Sequence, residues 1–307
     1  MLTRLGAILV ALLLGPAAAA AEPSVTLVAV GDIQLARGTA RAIEREGADY
    51  PFSATAEITR GADLAVGNLE CALSRDATAL VKRYSFKADP ACADGLARAG
   101  FDVLSLANNH SLDCGRAGLL DTMDALARRG ISWVGAGEDA AAAEAPLIVE
   151  RKGLRIAFLA WTAVHCVGVI YRRDAPGAAA FETERAEAAI RAAGRRADVV
   201  IVLLHWGLEY TREPREVQRR IARRLIDAGA HLIIGHHPHT PQPVERYRGG
   251  VIAYSLGNFV FDSASEQARG GLILRCALQR DGVSGVESIP VTITRCRPEP
   301  QASAAGR

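Results

Sequence analysis

The sequence contains little lysine and no C-x-x-C motif, and neither sign of charge dominates. Lysine occurs only at Lys82, Lys87 and Lys152, so arginine carries almost all of the positive charge. The formal net charge is +2, which provides no electrostatic footprint for nucleic acid, and we expect no nucleic-acid partner. Without C-x-x-C, a thioredoxin-like redox site and a zinc ribbon both lack support.

Cysteine is sparse, and its spacing suggests no particular framework. The six cysteines are Cys71, Cys92, Cys114, Cys166, Cys276 and Cys296. An even number would permit disulfides in an oxidising compartment, but spacing leaves the connectivity open. Cys71 and Cys114 lie beside candidate site residues, where each could form a disulfide or be a small buried side chain. For each of these two cysteines considered alone, we favour the small buried side chain.

Long apolar runs are absent after the N-terminal segment, and no later segment is typical of a transmembrane helix. The N-terminal segment has a positive residue at Arg4, an apolar run over 5–14, a Gly15-Pro16 break and alanines ending at Ala21. This pattern predicts a cleaved signal peptide over 1–21, and therefore export to the periplasm or cell envelope. An uncleaved N-terminal anchor is the alternative, although a bilayer span needs about 20 apolar residues. A lipoprotein anchor is disfavoured because no cysteine follows the run directly.

The rest of the chain alternates predicted strands with predicted helices, which indicates an α/β fold. Half of the 307 residues are hydrophobic and 23% are charged, as in a soluble globular protein. Strands are predicted at 25–30, 64–66, 103–106, 132–134, 147–150, 154–161, 199–204, 232–234, 251–255, 271–279 and 288–294. Helices are predicted at 39–46, 94–98, 119–129, 182–195 and 215–228. The last predicted elements of the chain are strands with no helix between them, so we expect the sheet to be mixed. We expect one domain over 25–296 and a flexible tail over 297–307.

Polar motifs follow five of the predicted strands. They are Gly31-Asp32, Asn68-Leu69-Glu70, Asn109-His110, His205-Trp206-Gly207 and His237-Pro238-His239. Each motif alone has an ordinary explanation, such as a helix cap, a turn or a core histidine. Together they predict a site at the carboxyl ends of the strands, where α/β proteins place their ligands.

The histidines near residue 237 suggest a metal centre. In extended backbone, residues two apart point the same way, so His237 and His239 should face one centre while His236 points elsewhere. Pro238 should stiffen the pair. Imidazole, amide and carboxylate ligands suit Zn, Mn or Fe, as one or two divalent ions. Two ions about 3.5–4 Å apart would need a bridging carboxylate, which Asp32 or Glu70 could provide.

Six blocks of sequence, spread over residues 28–262, resemble in order the successive motifs of the CapA family. They read VAVGDIQLARG, VGNLECAL, FDVLSLANNHSLDCG, VLLHWGLEY, IIGHHPHTPQPVE and IAYSLGNFVFD. The family is similar to calcineurin-like metallophosphoesterases. The resemblance therefore implies a four-layer α/β/β/α metallophosphatase-like sandwich with two mixed sheets. It also implies a role in capsule (poly-γ-glutamate) biosynthesis.

The resemblance also implies roles for individual residues. Asp32 and His239 would hold the first metal, and Glu70 would bridge. The second metal would be held by Asn109, His205 and His237. His110 would be the general acid, and its ordinary pKa of about 6.5 suits that role. The reaction would be metal-dependent hydrolysis of a phosphoester or an anionic polymer, including its γ-glutamyl amide bonds, and membrane-bound capsule synthesis proteins would be the partners.

Gln34 departs from the phosphoesterase pattern, in which a D-x-H histidine stands at this position. CapA proteins generally lack that histidine, so the departure agrees with the family, but a glutamine amide is a poor replacement for imidazole. The alternative function is therefore a catalytically impaired binding or scaffold protein of a capsule or envelope assembly. The other polar residues at strand ends argue against complete loss of the site.

A few further residues could bind substrate or orient ligands. Arg37 and Lys87 could meet an anionic substrate, although both could equally be solvated surface charges. Asn258 could contact substrate, orient a ligand or hold a turn. Asp113 and Glu209 could orient imidazoles, with a helix cap or surface position as the default for each.

Overall fold

A computed structural model of the chain describes residues 23–166, 173–262 and 265–301. The expected signal peptide over 1–21 and most of the expected tail lie outside these residues. Among the described residues, no helix has the length and apolar character needed to cross a bilayer.

The described residues contain seven α-helices and three short 3₁₀-helices. The α-helices are α1 (Arg37–Glu46), α2 (Ala56–Arg60), α3 (Ala93–Arg98), α4 (Gly115–Ala127), α5 (Ala140–Glu144), α6 (Thr183–Gly194) and α7 (Glu216–Asp227). The 3₁₀-helices are Tyr50–Phe52, Pro90–Cys92 and Glu266–Ala268. Helix α7 shows why such segments are helical: its buried residues, Gln218, Ala222, Leu225 and Ile226, recur every three to four positions and form one inward face.

Eighteen strands are present in the described part of the chain. They are β1 (Val25–Ile33), β2 (Leu64–Leu69), β3 (Ala72–Leu73), β4 (Lys87–Ala88), β5 (Val103–Ser105), β6 (Ser132–Val134), β7 (Ala136–Gly137), β8 (Leu147–Arg151), β9 (Leu154–Thr162), β10 (Gly177–Ala178), β11 (Val199–His205), β12 (Leu232–His236), β13 (Val244–Tyr247), β14 (Gly250–Ala253), β15 (Asn258–Val260), β16 (Gly270–Gln279), β17 (Gly282–Thr294) and β18 (Arg297–Pro300).

Two large mixed sheets are built from these strands. The first runs β18-β17-β16-β1-β2-β5-β6, with β15 also paired to β1, and the second runs β13-β14-β12-β11-β9-β8. Strand β1 is parallel to β2 and antiparallel to β16, while β11 is parallel to both β9 and β12. The pairs β7–β10 and β3–β4 form two small additional sheets.

Successive side chains of the central strands point to opposite faces of each sheet, and each sheet therefore packs on the other sheet with one face and on helices with the other, which produces four layers. On β1, Leu27 and Ala29 face the core between the sheets, whereas Val28 faces the core shared with α3 and α4. On β11, Ile201 faces the inter-sheet core and Val202 faces the core shared with α6 and α7. The predicted α/β/β/α sandwich with two mixed sheets is therefore confirmed.

The predicted long elements are all present, but several short strands, such as β3, β7 and β10, were not predicted, and the tail was placed too early. Strand β18 pairs with β17 from Val291↔Pro300 to Thr294↔Arg297, so ordered sheet continues past residue 296. Its backbone hydrogen bonds hold a segment whose Pro-rich composition suggested a tail.

The six cysteines, all within the described residues, form no disulfide. Burial raises the pKa of Cys92 to about 11 and that of Cys276 to about 12.

Candidate metal centre

The carboxyl ends of strands from both sheets meet around Asp32. The parallel registers of β1 place Asp32 beside Asn68 of β2 on one side and Asn258 of β15 on the other. Gly31 permits this close pairing, because a Cβ at that position would lie 2.0 Å from the Gly257 carbonyl oxygen. From the second sheet, β11 contributes His205 and the turn after β12 contributes two further histidines.

Glu70 lies at the centre of the site and lacks hydrogen-bond donors. Its side chain is fully buried, and neither carboxylate oxygen has a hydrogen-bond partner within the described part of the chain. The Oε1 atom lies 3.7 Å from His205 Nε2 and 3.9 Å from the Nε2 atoms of His110 and His239. Burial raises the pKa of Glu70 well above its usual range, and the charge of Asp32 adds to this. A buried carboxyl group without donors that faces three imidazole nitrogens is an arrangement that a cation would satisfy, because the cation would stabilise the ionised form.

Asp32 is also fully buried, but its carboxylate is well bonded. Asn68 Nδ2 donates to Oδ1 at 2.9 Å, and the His237 backbone N–H donates to Oδ2 at 3.2 Å. Burial would raise the pKa of Asp32, but the hydrogen bond with His239, the charges of His236 and His239 and the hydrogen bond from Asn68 together outweigh burial, and the pKa is lowered. Asp32 is therefore an ionised carboxylate beside the uncompensated Glu70.

His239 is oriented by Asn258. Its Nδ1 atom lies 2.9 Å from Asn258 Oδ1 and 3.4 Å from Asp32 Oδ2. Because both neighbours are oxygen acceptors, Nδ1 carries a proton, and Nε2 is the ring atom that faces Glu70. Burial alone would lower the pKa of His239, but Glu70 and Asp32 raise it to about 10.

His205 and His237 form the other side of the site. His205 Nε2 lies 2.8 Å from Asn109 Oδ1, and the rings of the two histidines are 4.8 Å apart. Burial lowers the pKa of His205 well below its usual value and that of His237 to about 4, so both imidazoles are neutral. His237 Nδ1 is buried without a partner among the described residues. Neutral imidazoles and an amide oxygen are suitable metal ligands.

The backbone around Pro238 differs from the prediction. His237 and His239 do face one centre, but not from extended backbone: their φ angles are 93° and 55°. The strand ends at His236, whose Nε2 turns away and lies 3.2 Å from the Val30 carbonyl oxygen. Two non-glycine residues in left-handed conformations are strained, and such strain concentrates at functional sites.

His110 is held by Asp113, as the sequence suggested. Its Nδ1 lies 2.7 Å from Asp113 Oδ2, and Phe86 stacks on the imidazole with ring centroids 4.1 Å apart. Lys82 pairs with the other oxygen of Asp113 at 2.5 Å. Burial lowers the pKa of His110, and the contact with Asp113 partly offsets this.

The three residues proposed to meet substrate lie in different places. Arg37 is at the rim, where its guanidinium lies 5.8 Å from the Phe86 ring centroid. Lys87 is outside the site, since its Nζ donates to the Arg75 carbonyl oxygen at 2.8 Å on the exposed surface. Asn258 is fully buried, with Nδ2 donating to Ala268 and Oδ1 facing His239, which leaves no amide atom for substrate. Of its three possible roles, orienting a ligand is the one this geometry supports.

Gln34 is directed toward α1 rather than toward Glu70. Its Nε2 donates to Asp262 Oδ1 at 3.4 Å, and its Oε1 accepts from Thr39 at 3.3 Å. The side chain is fully buried. Gln34 therefore supports the start of α1 and is not among the residues facing the centre.

No individual role was predicted from the sequence for three residues at the site, Asn68, Asn108 and Lys82. Asn68 bridges Asp32 to Asn108, whose Nδ2 donates to Asn68 Oδ1 at 3.0 Å. Lys82 reaches Asp113 from a loop. The signal for the two asparagines was present, because both stand at predicted strand ends. Lys82 carried no signal beyond being one of three lysines.

The geometry fits metal binding. Two clusters of ligand atoms, each within 4.8 Å, are formed by Glu70, His237 and His239 and by Asp32, Glu70 and His205. Both contain Glu70, as a bridging carboxylate would require. The clusters divide His205 and His239 differently from the resemblance, but Asp32 also lies 3.4 Å from His239.

Comparison with known proteins agrees with these observations. The family model for the bacterial capsule synthesis protein PGA_cap matches residues 26–263. The PGA biosynthesis protein CapA of Bacillus subtilis is 35% identical over 274 residues, which cover 88% of this chain and 72% of that protein. The capsule biosynthesis protein CapA of Bacillus anthracis is 32% identical over 287 residues, covering 91% and 70%.

A solved structure is similar in fold. The NAD nucleotidase NadN of Haemophilus influenzae superposes with a TM-score of 0.54 at 14% identity, covering 91% of this chain and 60% of that one. At this identity the likeness shows the fold alone.

Proposed function

The chain belongs to the bacterial capsule synthesis protein PGA_cap family, and from this premise we propose that it is an exported, metal-dependent hydrolase of capsule biosynthesis. Its substrate is a phosphoester or an anionic polymer of the poly-γ-glutamate type, and membrane-bound capsule synthesis proteins are its partners. The polymer is inferred from the family and from the Bacillus subtilis relative, which is a PGA biosynthesis protein. Export follows from the N-terminal sequence pattern.

A single observation carries the proposal: the buried Glu70 carboxylate has no hydrogen-bond donor and faces three imidazole nitrogens. Burial without a donor makes the ionised form of Glu70 costly, and a bound cation would offset that cost. Zn, Mn or Fe suits the surrounding nitrogen and oxygen ligands, which are Asp32, Glu70, Asn109, His205, His237 and His239. A bound ion would act as a Lewis acid on a phosphoryl or acyl oxygen and lower the pKa of the attacking water.

The protein's own groups would orient the reaction and move one proton. His110 presents Nε2 toward the centre, and Asp113 at Nδ1 stabilises the imidazolium form. His110 therefore gives the Nε2 proton to the leaving oxygen. Phe86 fixes the imidazole plane by stacking and covers one face against water. Asn258 keeps the Nε2 lone pair of His239 directed inward.

Gln34 favours one alternative, a catalytically impaired scaffold protein of a capsule or envelope assembly. Its amide is bound to Asp262 and Thr39, so the first metal lacks the ligand that phosphoesterases have there. Such a protein would bind polymer or partner proteins without cleaving them.

Metal analysis of the purified mature protein tests the proposal. The wild type should carry one or two transition ions per chain, and Glu70→Gln and a His237→Ala, His239→Ala double variant should lose them. A His165→Ala, His231→Ala double variant is the matched control, because it also removes two imidazoles but leaves the centre intact. Metal should also raise the melting temperature of the wild type and not that of Glu70→Gln.

Activity then separates the two candidates. Metal-dependent cleavage of a chromogenic phosphodiester or of poly-γ-glutamate would support the hydrolase. Metal binding without cleavage of either would favour the scaffold. A wild type that takes up no metal after reconstitution would refute the proposed centre.

A further inference from the structure

Three arginines of α1 occupy one face of the helix. Arg37, Arg41 and Arg45 recur every four residues, a spacing that places side chains above one another. At about 1.5 Å per residue, the row extends roughly 12 Å from the mouth of the metal centre.

Continuous surface grooves run between this helix and the β17–β18 turn. One, of about 510 Å³, is lined by Arg41, Arg269 and Arg295. The next, of about 740 Å³, is lined by Arg45, Arg295 and Arg297. Gly38, Thr294, Arg295 and Cys296 line both. The two grooves form one channel, which we call the arginine groove.

Three of these arginines have no acidic partner among the described residues. Within the described part of the chain, no ion pair joins Arg41, Arg45 or Arg295 to a carboxylate, although Glu46 and Asp262 also line the groove. Asp262 already accepts from Gly38 and contacts Arg37. Arg297 is paired with Glu299. The groove therefore has uncompensated positive charge.

Three of the four arginines of helix α7 have acidic partners, in contrast to Arg41 and Arg45 of α1. There, Arg219 and Arg223 pair with Glu245, and Arg224 pairs with Glu184 and Glu187. Like charges four residues apart on a helix oppose each other, so Arg41 and Arg45, which have no ion pair among the described residues, weaken α1 slightly. Two such arginines beside a groove point to a ligand of opposite charge.

The arginine groove connects to the metal centre through two aromatic contacts. The Arg37 guanidinium lies over Phe86, which stacks on His110. Phe261 lines the groove, and its ring centroid is 5.0 Å from that of His239. A chain lying in the groove would therefore have one end at the residues that carry out the proposed reaction.

We propose that the arginine groove binds an extended polycarboxylate chain, with Arg41 and Arg45 on one wall, Arg295 on the other, and Arg37 beyond the end nearest the metal centre. Guanidinium groups pair bidentately with carboxylates, and a row of them selects a polymer over a single anion. The choice of carboxylate rests on the proposed function. The geometry adds that the polymer enters along α1 and reaches the centre at Arg37.

Binding measurements test the groove without requiring turnover. Fluorescence anisotropy would follow a labelled poly-γ-glutamate chain of about 30 residues bound to the metal-loaded mature protein at low salt. An Arg41→Glu, Arg45→Glu variant should bind at least about tenfold more weakly, because attraction becomes repulsion. The matched control is Arg196→Glu, Arg220→Glu, which makes the same charge change at exposed arginines away from the groove and should bind as the wild type does. Arg41→Gln, Arg45→Gln should show a smaller loss and serves if charge reversal prevents folding.

Several results would overturn the inference. The wild type would not bind the polymer, or the control variant would lose as much affinity as the groove variant. Free glutamate would compete as well as the polymer at the same carboxylate concentration, or a polyphosphate of the same charge would bind more tightly than the polymer. The metal content of each sample separates this failure from failure of the centre. A wild type with metal but no polymer affinity refutes the groove alone, whereas a wild type without metal refutes the proposed hydrolase.

Discussion

His110 Nδ1 lies 2.7 Å from Asp113 Oδ2, and Asp113 also accepts from the Phe86 backbone N–H at 2.6 Å. The carboxylate therefore fixes both the imidazole and the segment that carries the ring stacked on it. This bond places His110 Nε2 at the centre.

Replacing Asp113 by Asn should lower the pKa of His110 further. The carboxylate favours the imidazolium form, so loss of its negative charge removes a contribution that raises the pKa. Turnover of a cleaved substrate should fall by about 10²-fold, with metal content retained. An NMR titration of the histidine ring of metal-free protein measures the pKa. Asp124→Asn, an exposed α4 position paired with Arg128, is the control. An unchanged His110 pKa in Asp113→Asn would contradict the assigned contact.

Replacing Lys82 by Met should destabilise the fold more than the same change at Lys152. The Lys82 side chain is 11% exposed and its partner Asp113 is fully buried, so the substitution leaves a buried carboxylate without its cation. A loss of about 3 kcal/mol is expected. Lys152 pairs with Asp63 at 2.6 Å, but its side chain is 57% exposed, and the expected loss is about 0–1 kcal/mol. Urea unfolding measures both, and equal losses would show that the Lys82 pair is not a buried one.

Replacing Asn258 by Leu should weaken metal binding by roughly 10–100-fold, because His239 loses the acceptor that fixes its tautomer. The Ala268 carbonyl oxygen also loses a donor, which costs about 1–3 kcal/mol of stability. Asn258→Asp keeps the acceptor and should recover most of the metal affinity but not the stability. Competition with a chromogenic chelator measures the affinity. If Leu and Asp weaken it equally, the orienting role is wrong.

All six cysteines should react with a thiol reagent after denaturation without reductant, because none is in a disulfide. In the folded protein, half-buried Cys166 and Cys296 should react first. Burial raises the pKa of Cys71 and slows its reaction. Intact mass measures the number of labels. Fewer than six labels, restored by reductant, would reveal a bond between cysteines.

Much of the fold was predictable because local pattern determines it. The apolar run of β11 and the stripe of α7 predict a buried strand and a helix, and alternation of such elements predicts layers. Short strands such as β3 and β18 carry no comparable pattern. They exist because a neighbouring strand supplies their hydrogen bonds, and composition alone predicted a tail where β18 lies.

The sequence shows which side chains are available to a metal centre and at which strand ends they stand. How these side chains meet is set by the tertiary structure. Glu70 faces His205 and His239 across two packed sheets, Gln34 turns to Asp262, and Lys82 reaches Asp113 from a loop. It also placed Arg295 opposite α1. These partners are far apart in the chain, so their contacts depend on how the layers pack, and no local pattern of residues encodes that packing.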